Sequence, residues 1–371
     1  MTEVLHSEKI LYLAMELSNK TWKLAFSDGS KVRQVNVPAG NVERLRAQVV
    51  MAKQKLGLAP ECEVHSCFEA GRDGFWIHRM LETLGIQNLV VDSASIEVNR
   101  RQRRAKTDRL DAEKLVRMLM RYLLYGEKKT WSVVRVPSEA QEDERRRHRE
   151  RERLVHEHSA HAARIRSLLC LNGSRLRRMS AAAVRAARDW SGRPLPESTA
   201  AELRRELDRL AVLDGQLAEL EGEQAQRLKA PQTAVECRAQ RLNGLRAIGP
   251  VTATTLSEEG LGWRNFRNRR QVGAWGGLTG TPYDSGQSTR EQGISKAGNR
   301  RVRTLMVELS WGWLRYQPRS NLSLWYQQRF GQGNKRMRRV GIVALARKLL
   351  VALWKYLEHD ELPDGAVLRC A

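Results

Sequence analysis

The chain has 371 residues, with 65 lysines and arginines against 42 aspartates and glutamates and a formal charge of +23. That length allows two or three units with cores of their own, and a surplus of positive charge spread along the chain attracts a polyanion at long range. Nucleic acid is the expected polyanion rather than an anionic membrane, because no apolar run reaches the roughly 20 residues of a spanning helix and no signal peptide opens the chain. The cysteines Cys62, Cys67, Cys170, Cys237 and Cys370 are too scattered for a disulfide framework or a zinc ligand set, so a reducing cytoplasm is the expected compartment.

The first quarter reads as mixed strand and helix. Residues 10–17 are a short apolar run, 21–26 alternate, Asp28-Gly29 is a hairpin signal and 31–37 alternate again, which predicts three antiparallel strands. Asn41 caps a helix carrying Val42, Leu45, Val49 and Leu56, and residues 63–68 form a fourth strand. Trp76, Ile77, Met80, Leu81 and Leu84 make a second helix face, and residues 89–91 a fifth strand. The order βββαβαβ is that of a ribonuclease-H-like mixed sheet.

From about Thr107 strand signals largely disappear. Residues 142–169 form a long charged helix with Arg145, Arg146, Arg147, Arg149, Arg151 and Arg153 near its start. A further helix follows Ser198. In it Leu203, Leu210 and Leu217 recur at sevens, with Leu213 and Leu220 three after the last two. This is a short coiled-coil seam, equally suited to a dimer zipper or to packing on its own chain. A third unit begins near Leu242, and its Ala247-Ile248-Gly249-Pro250 has the form of half a helix-hairpin-helix, with a helix start offered to phosphate. Further on, Val307, Trp311 and Leu314 stand at helical spacing, so Trp311 is expected in a core.

Four acids fall in fold order. Glu16 ends the first strand and Glu69 the fourth; those strands are neighbours in a ribonuclease-H-like sheet, where adjacent carboxylates call for a cation between them. Asp108 and Asp111 lie three apart just after a Thr107 cap, on one face of a helix. Together they offer hard oxygen ligands for one or two Mg²⁺ or Mn²⁺ ions, the arrangement phosphodiester chemistry uses to activate an attacking oxygen and stabilise a leaving one. Singly, each acid also reads as a helix-dipole partner or an exposed strand end.

Near the other end, Tyr283-Asp284-Ser285-Gly286-Gln287-Ser288 is a polar, flexible-looking loop, followed by Gly293-Ile294-Ser295-Lys296-Ala297-Gly298-Asn299 and a helix from about Arg300. A serine beside glycine is sterically free to approach phosphate, although its hydroxyl needs a base, metal or cation to react. Basic stretches at 100–104, 145–153, 264–270 and 335–339 predict affinity that falls steeply with salt. Within and beside them, Arg103, Arg104, Lys106, Arg145, Arg146, Arg149, Lys296, Asn299, Arg300 and Arg303 are the expected nucleic-acid contacts.

These pieces together resemble the DEDD-type transposases of bacterial insertion sequences, the group that includes Piv-like invertases and bridge-RNA-guided recombinases. The resemblance rests on Phe68-Glu69-Ala70-Gly71, Lys106-Thr107-Asp108-Arg109-Leu110-Asp111-Ala112, the arginine helix after Val136-Pro137-Ser138, Ala247-Ile248-Gly249-Pro250, and Ser285-Gly286 through Asn299. It implies a RuvC-like DEDD domain over 1–135 holding Mg²⁺, a helical coiled-coil connector over 136–240, and a mainly helical transposase domain over 241–371 with a catalytic serine. Glu69, Asp108 and Asp111 match three of the family's acids; Glu16 departs, standing where the pattern has aspartate. Ser285 matches the nucleophilic serine, with Ser288 as the fallback. Donor and target DNA, a structured guide RNA and a homo-oligomer, dimeric or tetrameric, are the implied partners. Two other readings stay open on the residues: a junction or RNase-H-like nuclease using metal-activated water, and a nucleic-acid-binding protein whose acidic site is weakened by Glu16.

Overall fold

The computed structural model describes residues 10–71, 73–96, 108–127, 130–177, 180–285 and 288–369. The chain divides into two compact units, Met1–Pro137 and Ser138–Ala371.

The first unit is built on a five-stranded sheet of order β3-β2-β1-β4-β5. Strands β1 (Leu11–Glu16), β2 (Thr21–Ser27) and β3 (Val32–Pro38) form an antiparallel meander, while β4 (Val64–Glu69) and β5 (Gln87–Val91) join in parallel. This is the ribonuclease-H-like order. The Asp28 carboxylate makes the first turn by accepting from the backbone N–H groups of Ser30 and Lys31, with Gly29 at φ 101°. Helix α1 (Val42–Lys55) starts where the Asn41 side chain accepts from Arg44 N–H at 2.8 Å.

Strand β1 is apolar from Leu11 to Met15 because both faces of the sheet are covered there. Leu11, Leu13 and Met15 pack toward α1 and α2 (Trp76–Thr83), meeting Leu45, Ile77 and Leu81. Tyr12 and Ala14 face the other way, onto Ala112, Leu115, Val116 and Leu119 of α3 (Asp108–Leu124).

The second unit opens with α4 (Glu139–Leu171), started by a capping box between Ser138 and Gln141. A short α5 (Ala181–Arg185) leads to α6 (Glu197–Lys229), which runs back along α4: Arg151 meets Glu221, His158 meets Asp214 and His161 meets Glu206. Leu203 and Leu207 of α6 pack on Ile165 and Leu169 of α4. The leucine seam is thus covered, over its first turns, by its own chain.

The remaining core gathers α7 (Ala234–Asn243), α8 (Pro250–Leu256), α9 (Arg269–Trp275), α10 (Arg300–Tyr316) and α12 (Lys335–His359), with α11 (Asn321–Tyr326) beside them. The buried stripe of α10 is Val302, Met306, Leu309 and Trp313, at i, i+4, i+7 and i+11. Trp311 lies off that stripe and is 49% exposed, so its expected core position is corrected to Trp313.

A second correction concerns residues 283–288, expected as a loop: their described part belongs to two strands, β6 (Gly280–Ser285) paired antiparallel with β7 (Ser288–Ile294). These strands carry glycine, proline, aspartate and serine and no alternating apolar face, so the period-2 signal is missing from the sequence. No described helix is long and apolar enough to cross a membrane.

Candidate nucleic-acid-processing site

In the first unit Met15 pairs with Phe68 across β1 and β4, so Glu16 and Glu69, the next residue on each strand, end side by side. Alternation sets their direction: Glu16 shares the face of Tyr12 and Ala14, and Glu69 that of Cys67, the face covered by α3. Helix α3 runs antiparallel to these strands. The Cys67 thiol donates to the Leu115 carbonyl at 3.8 Å, and Tyr125, just past the helix end, sits close enough to Tyr12 for its charge to raise the phenol, after the larger effect of burial. The first turn of α3, which carries Asp108 and Asp111, therefore falls at the Glu16–Glu69 end of the sheet.

Asp111 is half-buried; the Asp108 side chain lies outside the described residues, as do Arg103, Arg104, Lys106 and Thr107. Among the described residues no three histidine, cysteine or acidic side chains close on one point. The donor chemistry at this sheet end is carboxylate oxygen, which fits Mg²⁺ or Mn²⁺ rather than a soft metal. Cys67 is no ligand: it is fully buried, and burial, with the nearby Glu69 charge, pushes its thiol far above the usual range.

In the second unit Ser285 ends β6 and pairs with Ser288. The turn residues 286 and 287, and the side chains of 282–292, lie outside the described residues. The segment after the hairpin is a rigid base. Ser295 N–H donates to Thr279 O at 2.8 Å and Asn299 N–H to Trp275 O at 2.7 Å. Gly298 has φ 135°, and a Cβ there would stand 2.5 Å from the Ala274 carbonyl oxygen, so only glycine fits. Asn299 caps α10 by accepting from the N–H groups of Arg301 and Val302, and Arg303 donates to the Lys296 carbonyl at 2.9 Å. Lys296 and Arg300 are exposed. Of the four expected contacts here, two are thus built into the scaffold and two face solvent.

The arginine helix divides in the same way. Arg149 places Nε 2.9 Å from Glu259 Oε1 and Nη2 3.1 Å from Oε2, a bidentate pair with a fully buried carboxylate. His148 bridges two acids, Nδ1 2.6 Å from Glu258 Oε2 and Nε2 2.8 Å from Glu259 Oε1. Asn299 Nδ2 donates to Glu259 Oε2 at 2.6 Å. Burial alone would depress the His148 imidazole, but its hydrogen bonds to the two glutamates outweigh that and hold it above its ordinary value. Burial likewise works against ionised Glu259, yet His148 and Arg149 bring it down to about 2.

The Arg145 guanidinium lies 5.8 Å from the Trp263 ring, and its burial lowers its pKa. Arg146 alone of Arg145, Arg146 and Arg149 is exposed. Glu258 and Glu259, which sequence reasoning missed, sit in a π-helical turn, Ser257–Leu261, continuing α8. Gly260 beside them lies against the Trp275 indole, where a Cβ would come within 2.6 Å.

A family model described as Transposase IS116/IS110/IS902 family matches residues 239–324, from α7 to α11, and so takes in the Glu258–Glu259 turn, Ser285 and Asn299. A Sinorhizobium fredii protein named as a transposase, y4rJ, is 41% identical over 379 residues, covering 97% of this chain and 94% of its own length. The Yersinia enterocolitica transposase for insertion sequence element IS1328 is 26% identical over 314 residues, 84% of this chain and 88% of its own. The chain belongs to the IS116/IS110/IS902 family of transposases, enzymes that move insertion sequences by DNA cleavage and strand transfer.

Proposed function

We propose that this transposase cuts and rejoins DNA through a covalent phosphoserine intermediate on Ser285, with Glu16, Glu69, Asp108 and Asp111 holding Mg²⁺, or Mn²⁺ in its place. The observation that carries the metal site is the meeting of Glu16 and Glu69 with the first turn of α3 at one end of the β3-β2-β1-β4-β5 sheet. Bound there, the cation would neutralise charge on the phosphate. The serine is supported by its place at a hairpin tip on a rigid base, inside the stretch the family model matches.

In the first step the Ser285 Oγ–P bond forms and the bond from phosphorus to one deoxyribose oxygen breaks. The hydroxyl proton leaves to water and the departing oxygen takes one up. Rejoining reverses this with another strand's hydroxyl, so the bond energy is conserved without a co-reactant. Donor and target DNA are the substrates; a structured guide RNA and assembly into a homo-oligomer complete the proposal.

The test is a labelled donor DNA incubated with the wild-type chain and with Ser285→Ala. The wild type should give a protein–DNA band resistant to denaturation, absent in the variant. A band that persists moves the nucleophile to Ser288 or elsewhere, and strand cleavage by the wild type with no adduct favours a nuclease using water. Sequencing the nucleic acid that co-purifies tests the guide RNA; recovery of no discrete RNA species sinks that part.

A further inference from the structure

Two of the basic stretches, 65 residues apart by the spacing of Arg270 and Lys335, come together in the second unit. Arg269 and Arg270 at the start of α9, Lys296 at the hairpin base, and Lys335, Arg336 and Arg339 on the first turns of α12 line one groove of about 1460 Å³. No carboxylate lines it among the described residues, and none there pairs with these six cations.

The floor is of a different character. Along α12 the groove-lining residues follow at fours: Lys335, Arg339, Val343, Arg347, Val351 and Lys355, with Val340 and Ala344 beside them. This face extends about 30 Å at 1.5 Å per residue. Val340 is 54% exposed, and half-buried Ile294 and Leu322 continue the apolar surface from the other wall. Trp325 stands at the groove with the Lys348 ammonium 4.6 Å from its ring centre. A duplex offers phosphates outward and keeps its bases inside, so it would use the cations and leave the floor wet. A strand without a partner has both features this groove complements, a charged backbone and apolar base faces.

We propose that this groove binds an unpaired polynucleotide strand, with phosphates on the cations of α9, Lys296 and the start of α12, and bases against Val340, Val343, Ala344 and Val351 of α12. The inference rests on the nucleic-acid reading of this family member, but on neither Ser285 nor the metal. Unpaired strands occur at cut DNA ends and in folded RNA alike, and the chemistry recognised is common to both.

Fluorescence anisotropy on the full chain tests it with four labelled probes: a 20-nucleotide dT strand, the equivalent U strand, a 20-base-pair duplex and an abasic strand of equal length. The wild type should bind the dT strand about tenfold more tightly than the abasic one, since the two differ only in base contacts. Arg336→Glu with Arg339→Glu should weaken the dT strand about 30-fold, with a shallower salt dependence, and weaken the duplex as well, since its phosphates would use the same cations. Val340→Asp should weaken the dT strand about tenfold, and Val340→Leu should restore it; all of these sites are exposed, and unchanged thermal melting confirms folding. Comparing dT with U assigns the strand to DNA or RNA. Equal affinity for the abasic strand, or equal losses for the duplex in Val340→Asp, overturns the proposal, the latter in favour of a duplex track. Unchanged strand binding in the charge-reversed chain overturns it too. Adduct formation by the wild type is scored separately, so a negative result here leaves the serine chemistry standing, and the reverse.

Discussion

Two pairs of carboxylates sit in different settings in this molecule. Glu16 and Glu69 come from different strands and meet at an open sheet end beside the first turn of α3. Glu258 and Glu259 are adjacent in sequence and buried, with the charges of His148 and Arg149 and the amide of Asn299 ranged against them. The second pair has its counter-charges supplied by protein, so it holds helices together. The first gathers negative charge at a sheet end where the donor chemistry suits a hard cation. What separates the two settings is burial: Glu258 and Glu259 lie inside their unit, whereas Glu16 and Glu69 stand half-buried at a sheet end.

The largest effect should come from the pair at the sheet end. Glu69→Gln keeps the shape and removes one charge, and strand cleavage should fall by about 10³-fold, on the order of 4 kcal/mol of barrier. Thermal melting should stay where it is. Cleavage within threefold of wild type would make Glu69 a structural residue and dissolve the contrast.

The buried pair should show the reverse. Glu259→Ala takes the shared acceptor from Arg149 and from His148 Nε2, leaving His148 only Glu258, and unfolding in urea should register a loss of about 3–5 kcal/mol. If that variant is as stable as wild type, the cluster is ornament to α4 rather than its anchor.

The same contrast can be sharpened by pH. His148 is held above its ordinary 6.5, so its protonated form contributes stability in full below 6.5 and loses it as pH rises through the higher folded value. Glu259 is depressed from 4.5 to about 2, so its share is present above 4.5 and lost as pH falls toward 2. The stability gap between wild type and His148→Gln should therefore be widest between these limits and shrink on both sides. A gap independent of pH from 3 to 9 would mean that the imidazole contributes packing alone.

Much of the first unit was legible in the sequence because its signals are local. Turn chemistry at Asp28-Gly29, the Asn41 cap and apolar runs buried on both faces mark each element, and strand order then brings Glu16 and Glu69 together. The second unit hides its logic in long-range pairs. Arg149 and Glu259 are 110 residues apart, and nothing in a run of arginines says which will turn inward; only the helical phase of α4 separates Arg145 and Arg149 from exposed Arg146. The β6–β7 hairpin escaped for a related reason, since a strand pair without an apolar face leaves no periodicity to read.

The smallest effect should come from Glu16, where the chain carries glutamate and the family pattern implies aspartate. Glu16→Asp withdraws the carboxylate by one methylene, roughly 1 Å, at the end of a strand whose Cα positions are fixed by β2 on one side and β4 on the other. Hard cations accept carboxylates in mono- and bidentate modes over some range of ligand geometry. Cleavage by this variant should therefore lie within about threefold of wild type, while Glu16→Gln, which removes the charge, should fall with Glu69→Gln. A drop beyond tenfold in Glu16→Asp would show that the backbone around Glu16 has adjusted to the longer side chain. Equal activity of Glu16→Gln and wild type would remove position 16 from the metal site and leave Glu69 with the acids of α3 to hold the cation.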